Sequence, residues 1–299
     1  MAFRSLVITT PAYIHTKNNQ LVVRNERDHT VPIEDIQAIL LENQQTSVSI
    51  FSLQKLIKYG VTVYICDEKH LPSAVIIPFY QHSRNVAVMR LQEKLSVPQK
   101  KGLWKQIVVA KILNQARCLK LQNNVIGSEH LIYLSKTVNS GDTHNVEAVA
   151  ANYYFKMLFG RNFSRSGDDT RNAALNYGYA VMRGLVARLL SGYGFLPMKG
   201  LHHSSEQNSF NLADDFMEPL RPVVDLYVAE NVREGEAISP EIKHALFNLL
   251  NVDMISDSQI HSLNYATERM VHSFLRCCQN FSSELSLPEL AKLHQHRYE

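Results

Sequence analysis

Residues 200–225, GLHHSSEQNSFNLADDFMEPLRPVVD, decide how the chain is read. Two adjacent histidines, His202 and His203, stand a short way ahead of an acidic cluster, Asp214, Asp215 and Glu218. Imidazole with carboxylate is a donor set that suits a catalytic divalent ion. Asp215 and Glu218 are spaced i, i+3, so on a helix they share a face. Pro219 and Pro222 follow at once. A proline inside a helix removes a backbone hydrogen bond, so a break or a new helix start is expected directly after Glu218. Either histidine could face the acids, since adjacent side chains need not share a direction. A further ligand has to come from elsewhere, and the best candidate is Glu147, in NVEAVAANYYFKMLFG (145–160). A first-turn acid also suits the helix dipole. The small Ala150 and Ala151 on its face leave room for an ion and a phosphate.

Outward from that run, the C-terminal two thirds reads as helix. VAVMRLQEKLS (86–96) is one, stopped near Pro98. KKGLWKQIVVAKILNQARCLKLQNN (100–124) carries an apolar stripe of Trp104, Ile107, Val108, Ile112, Ala116 and Leu119. The segment with Glu147 ends at Gly160, TRNAALNYGYAVMRGLVARLLSGYG (170–194) is another helix, and EIKHALFNLLN and YATERMVHSFLRCCQNF follow the central motif. The first eighty residues differ. SLVIT, AYIHT, QLVVRN, IQAILLEN, VTVYICD and SAVIIPF are short, β-branched and broken by turn chemistry. Asn18-Asn19 between two of them predicts a tight hairpin. SIFSLQKLIKYG (49–60) is one helix among these strands, with Gly60 as its C-terminal stop. The expected class is α+β: a small N-terminal β domain with one helix over 1–80, a linker at 81–85, and a larger all-α domain over 81–299. Exposed sheet edges in such a β domain commonly pair with a second copy, so it is expected to dimerise.

The chain has 299 residues and 45% apolar content, which is ordinary for a globular protein with a sizeable core. No run approaches the roughly 18 apolar residues needed to span a bilayer. The opening MAFRSLVITTPAY reads as a strand rather than a signal peptide. Cys66, Cys118, Cys277 and Cys278 show neither a disulfide framework nor zinc-finger spacing, so a reducing cytoplasm is the expected location. The net charge of +3 hides an asymmetry. Residues 81–122 hold nine lysines and arginines against one acid, Glu93, whereas residues 204–299 hold 15 acids against seven bases. Such a division suits a surface for a polyanion.

The run LADDFMEPLRPVVD, preceded by GLHH and by VEAVAANYYF and RNAALNYGYAVMR, resembles the CRISPR-associated integrase of spacer acquisition, the first-numbered Cas protein. The resemblance covers nearly the whole chain and is greatest to the branch that accompanies single-protein RNA-guided effectors, the type II systems. It implies an N-terminal β domain, a helical C-terminal domain, a homodimer, and a complex with the small second Cas protein. It implies a site of Glu, His and a third acid binding Mg²⁺ or Mn²⁺. Carried over, these are Glu147, His203 and Glu218, with Asp215 as an auxiliary acid. The implied reaction is attack by the 3′ hydroxyl of a short DNA on a phosphodiester at the edge of a CRISPR repeat. Arg84, Lys105, Lys111, Arg161 and Arg165 are the residues expected to hold the DNA backbone. Two other functions would leave much the same sequence: a non-catalytic DNA-binding scaffold, and a general metal-dependent nuclease.

Overall fold

Asn18 and Asn19 both take positive φ, at 50° and 58°, and turn the chain between two antiparallel strands. This is the hairpin geometry that asparagine tolerates and most side chains do not. The computed structural model describes residues 3–78 and 84–297. It divides into two units, residues 1–83 with 297–299, and residues 84–296. Of the linker expected over 81–85, residues 81–83 lie outside the described residues.

The first unit contains β1 (Arg4–Ile8), β2 (Tyr13–Lys17), β3 (Gln20–Arg24), β4 (Asp28–Pro32), β5 (Ile36–Leu41), β6 (Ser47–Val48), α1 (Ile50–Lys58), β7 (Thr62–Cys66) and β8 (Pro72–Ile76). They form two sheets, β1-β5-β7-β8 and β4-β3-β2-β6. In the first, β1, β5 and β7 run parallel and β8 antiparallel. Ile8, Ile14, Leu21, Ile33, Ile36, Ile39, Leu56 and Val63 bury into one core. Ser49 caps α1 by accepting the Ser52 N–H, and Gly60, at φ 74°, lets the chain leave that helix as expected.

The second unit contains α2 (Asn85–Glu93), α3 (Val97–Leu121), α4 (Val125–Thr137), α5 (Val146–Phe159), α6 (Thr170–Gly192), α7 (Asn211–Met217), α8 (Arg221–Asn231), α9 (Pro240–Asn248), β9 (Val252–Ser256), β10 (Gln259–Ser262), α10 (Leu263–Cys278) and β11 (Glu289–Gln295). The α+β class holds, but this unit is mostly rather than wholly helical. β10, β9 and β11 make a three-stranded antiparallel sheet. Val252, Met254 and Ser256 alternate inward along β9, a period-two pattern too short to stand out beside the helices around it. The sequence reading also passed over α4, whose start is capped by Asn124 accepting the Gly127 N–H. Among the described residues, no helix is long and apolar enough to cross a membrane.

Helix α3 is the spine of this unit. Ser96 and Gln99 form a reciprocal capping box at its start, with Pro98 in its first turn. Pro98 thus opens this helix. The preceding one has already ended at Glu93. The whole expected stripe from Trp104 to Leu119 is buried, and so are Lys111, Asn114 and Gln115. Packed against α3 are α4, α5, α8, β11 and the turn between α7 and α8.

Candidate metal centre

The helix carrying the acidic cluster stops where its prolines dictate. α7 ends at Met217, residues Glu218–Leu220 form one 3-10 turn, and α8 begins at Arg221 with Pro222 in its first turn. Glu218 therefore sits on a deformed joint, buried to 3% exposure. Glu147 reaches the same place from α5. The start of that helix is capped by the Asp142 carboxylate, which accepts the N–H groups of Val146 and Glu147, each at 2.9 Å. The two carboxylates meet at one ammonium. Lys111 Nζ donates to Glu147 Oε1 at 2.6 Å and lies 2.5 Å from Glu218 Oε2. Arg221 holds the other oxygen of Glu218 at 3.0 Å.

Burial works against the Glu218 charge, yet Arg221 and Lys111 together hold its pKa below the ordinary value. Burial likewise opposes the Lys111 charge, and Glu218 and Glu147 outweigh it, so the ammonium pKa is raised.

His203 is presented by the loop between α6 and α7, and Asp215 organises that loop. Asp215 Oδ2 accepts the N–H groups of Leu201 at 2.5 Å and His202 at 3.2 Å, and Oδ1 accepts that of His203 at 3.1 Å. Oδ1 also lies 2.7 Å from the His203 ring Nδ1. The loop runs so close to this carboxylate that a Cβ on Gly200 would stand 2.2 Å from the His203 carbonyl oxygen and 2.8 Å from Asp215 Oδ2. Only glycine fits there. The hydrogen bond to Asp215 raises the His203 pKa against the opposing effect of burial. With Nδ1 on Asp215, Nε2 is the nitrogen left to ligate. His202 stands edge to face with His203, ring centroids 5.7 Å apart. Its ring stacks on Trp104, with centroids 4.3 Å apart and planes 1° from parallel. Asp214 is taken by Arg183 at 2.6 Å and Asn208 at 2.7 Å.

Glu147 and Glu218 thus meet at one ammonium, and His203 is held on its loop by Asp215. Among the described residues, no group of three or more His, Cys, Asp or Glu is arranged to hold an ion as the side chains stand. The Lys111 ammonium lies against both carboxylates. The residues nonetheless fit a metal. Glu218 Oε2 is buried against the Lys111 ammonium, which stands in for a cation there, and two carboxylates with an imidazole make a hard-to-borderline donor set.

The residues expected on DNA fare unevenly. Lys105 and Arg161 are exposed. Arg84 sits at the N-cap of α2. Lys111 is corrected: at 8% exposure it is inside the site, because it continues the buried stripe of α3. Arg165 is half-buried. Its guanidinium donates to Asn172 at 2.5 Å and Asn176 at 2.9 Å and lies over the rings of Phe155 and Tyr179. The sequence reading also missed Arg221 and Asp142. Arg221 carried a signal, standing three residues after Glu218 just past a proline break.

With this geometry in hand, comparison with known proteins is decisive. The family model described as CRISPR associated protein Cas1 matches residues 6–243. The chain belongs to the Cas1 family. A curated relative, the CRISPR-associated endonuclease Cas1 of Neisseria meningitidis serogroup C, is 41% identical and is covered over 100% of both chains. Among solved structures, a casposase bound to integration product has a TM-score of 0.75 at 18% identity, covering 96% of this chain and 93% of that one. A Cas6-RT-Cas1–Cas2 complex has a TM-score of 0.70 at 19% identity, covering 97% of this chain but only 36% of that one. These two structural likenesses show the shared fold of the Cas1 family.

Proposed function

We propose that this Cas1-family chain is a metal-dependent DNA endonuclease and integrase of CRISPR spacer acquisition. It joins the 3′ hydroxyl of a short DNA to a phosphodiester at the edge of a repeat. The observation that carries the reading is the meeting of Glu147 and Glu218 on a single cation, Lys111 Nζ, with the His203 imidazole held by Asp215 as the third ligand in this reading. The relative named as a CRISPR-associated endonuclease supports the nuclease part. The casposase held with its integration product, on the same fold, supports the joining part. The Cas1–Cas2 complex supports the small second Cas protein as partner. All four cysteines are free thiols, which fits a reducing cytoplasm.

Glu147, Glu218 and His203 would hold Mg²⁺ or Mn²⁺, which when bound supplies positive charge to the phosphoryl oxygens and to the attacking and leaving oxygens. Asp215 keeps the His203 ring in one tautomer and orientation. Arg221 fixes one oxygen of Glu218 so that the other faces the site. The DNA supplies its own nucleophile. Its 3′ oxygen forms the new P–O bond as the old one breaks, and the released strand keeps the departing oxygen as a hydroxyl. Lys105 and Arg161 offer exposed positive charge for the backbone, and Arg84 is assigned the same task. Pairing of two copies through the unit of residues 1–83 completes the assembly.

The test is a supercoiled plasmid carrying a repeat, incubated with short duplex DNA, divalent metal and the small partner. Joined product is expected. Glu147→Ala or His203→Ala should abolish joining and leave DNA binding largely intact, and a normal rate in either variant would overturn the assignment. Indifference to chelation would point to a non-catalytic scaffold. Degradation without joining would point to a general nuclease.

A further inference from the structure

We propose that Lys111 is a resident competitor for the metal: its ammonium holds Glu147 and Glu218 together in the ion-free protein and must leave when a divalent ion binds. The inference rests on the metal-dependent reading above and adds a residue to it. Three observations carry it. First, the ammonium contacts one oxygen of each carboxylate that would hold the ion, at 2.6 Å and 2.5 Å. Mg²⁺ needs its oxygens at about 2.0–2.1 Å, so ion and ammonium cannot share the place. Second, Lys111 is not an adaptable surface side chain. It sits on the buried stripe of α3 at 8% exposure, seven residues after Trp104, and its stem is packed. Third, Glu218 keeps a second cationic partner in Arg221 at 3.0 Å. Departure of Lys111 therefore does not leave the deeper carboxylate without a counter-charge.

Two carboxylates brought together from separate elements repel each other when nothing lies between them. A tethered ammonium solves this before metal arrives and opposes the metal once it does. Lys111 is a positioning residue in this scheme, acting through the two acids. The ion-free site is held shaped but closed, and opening it takes an exchange of cations.

The experiment titrates Mn²⁺ into the full chain and reads free aqueous Mn²⁺ by electron paramagnetic resonance. Lys111→Met keeps the length of the stem and removes the charge. It should bind Mn²⁺ about tenfold tighter than wild type, the scale of removing one unit charge from a partly buried site. Lys111→Arg should bind no tighter than wild type. A merely structural lysine predicts unchanged or weaker binding in Lys111→Met, and that result would overturn the proposal. A second measurement needs no variant. In wild type, acylation of Lys111 followed by peptide mass spectrometry should be several-fold faster with saturating Mg²⁺ than without, because the displaced amine leaves its buried ion pairs. Unchanged protection would also overturn it. Glu218→Gln separates the two readings. If Mn²⁺ binding survives that change, the metal site itself is misplaced. If binding is lost there but not tightened in Lys111→Met, only the role of Lys111 fails.

Discussion

Asp215 Oδ1 takes both the backbone N–H of His203, at 3.1 Å, and the near edge of its ring, at 2.7 Å. One oxygen thereby fixes where the residue sits and which way its imidazole points. Its other oxygen serves Leu201 and His202. Asp215→Asn swaps one acceptor for an amide that faces N–H donors. We expect joining to fall by about 10- to 100-fold and Mn²⁺ affinity to fall on the same scale, as for other residues that orient a metal ligand. The plasmid assay and a Mn²⁺ titration check the two effects side by side.

The stack of His202 on Trp104 separates the roles of the paired histidines. His202→Ala should cost about 1 kcal/mol of stability, the worth of one such aromatic contact. Joining should stay within a few-fold of wild type, whereas His203→Ala abolishes it. Urea unfolding with the plasmid assay measures both. Equal loss of joining in the two variants would reverse the assignment of the ligand.

Asn114 ties the joint after Glu218 to the C-terminal strand. Its Nδ2 donates to the carbonyls of Pro219 at 2.8 Å and Pro288 at 2.9 Å, and its Oδ1 accepts the Leu290 N–H at 2.9 Å. Asn114→Ala leaves three buried backbone groups unpaired, so we expect a loss of about 2–4 kcal/mol in urea unfolding. Pro219 directly follows Glu218, so joining should drop as well. DNA retention on a filter should not change.

Asp225 lies behind the site, accepting from Tyr179 and, at 3.1 Å, from Tyr154. Burial raises its pKa to about 6. A carboxyl whose folded pKa is raised binds its proton more tightly when folded. Its contribution is fully present below the unfolded value, near 4, and is lost as pH rises through the folded value. Asp225→Asn stays neutral throughout. The stability of wild type minus that of the variant should therefore fall by about 2 kcal/mol from pH 4 to pH 6. Urea unfolding across that range is the measurement, and a flat difference would place the titration elsewhere.

What could be read from the chain alone was local chemistry. Asn18-Asn19 announced its hairpin, Gly60 the end of α1, and Pro219 the break after Glu218. Lys111 was misread because its charge was counted before its position. It falls four residues after Ile107 and seven after Trp104, on the stripe that the same helix buries. The acceptors of Arg165, Asn172 and Asn176, stand in the next helix, beyond what a local pattern shows. The C-terminal sheet went unseen for a related reason. Its anchor to the core is the bond from Leu290 to Asn114, 176 residues away, and no local pattern encodes a pairing at that distance. The different partners of His202 and His203 were also out of local view: Trp104 stacks on the first and Asp215 bonds the second.

Trp104 is the only tryptophan in the chain. Its ring lies flat against His202, in the loop that also carries His203. Excited where tyrosine does not absorb, the protein therefore emits from one place, beside its own chemistry. Any rearrangement of that loop as an ion or a DNA end arrives changes the light given off, and a stopped-flow fluorimeter can follow it in real time without a dye.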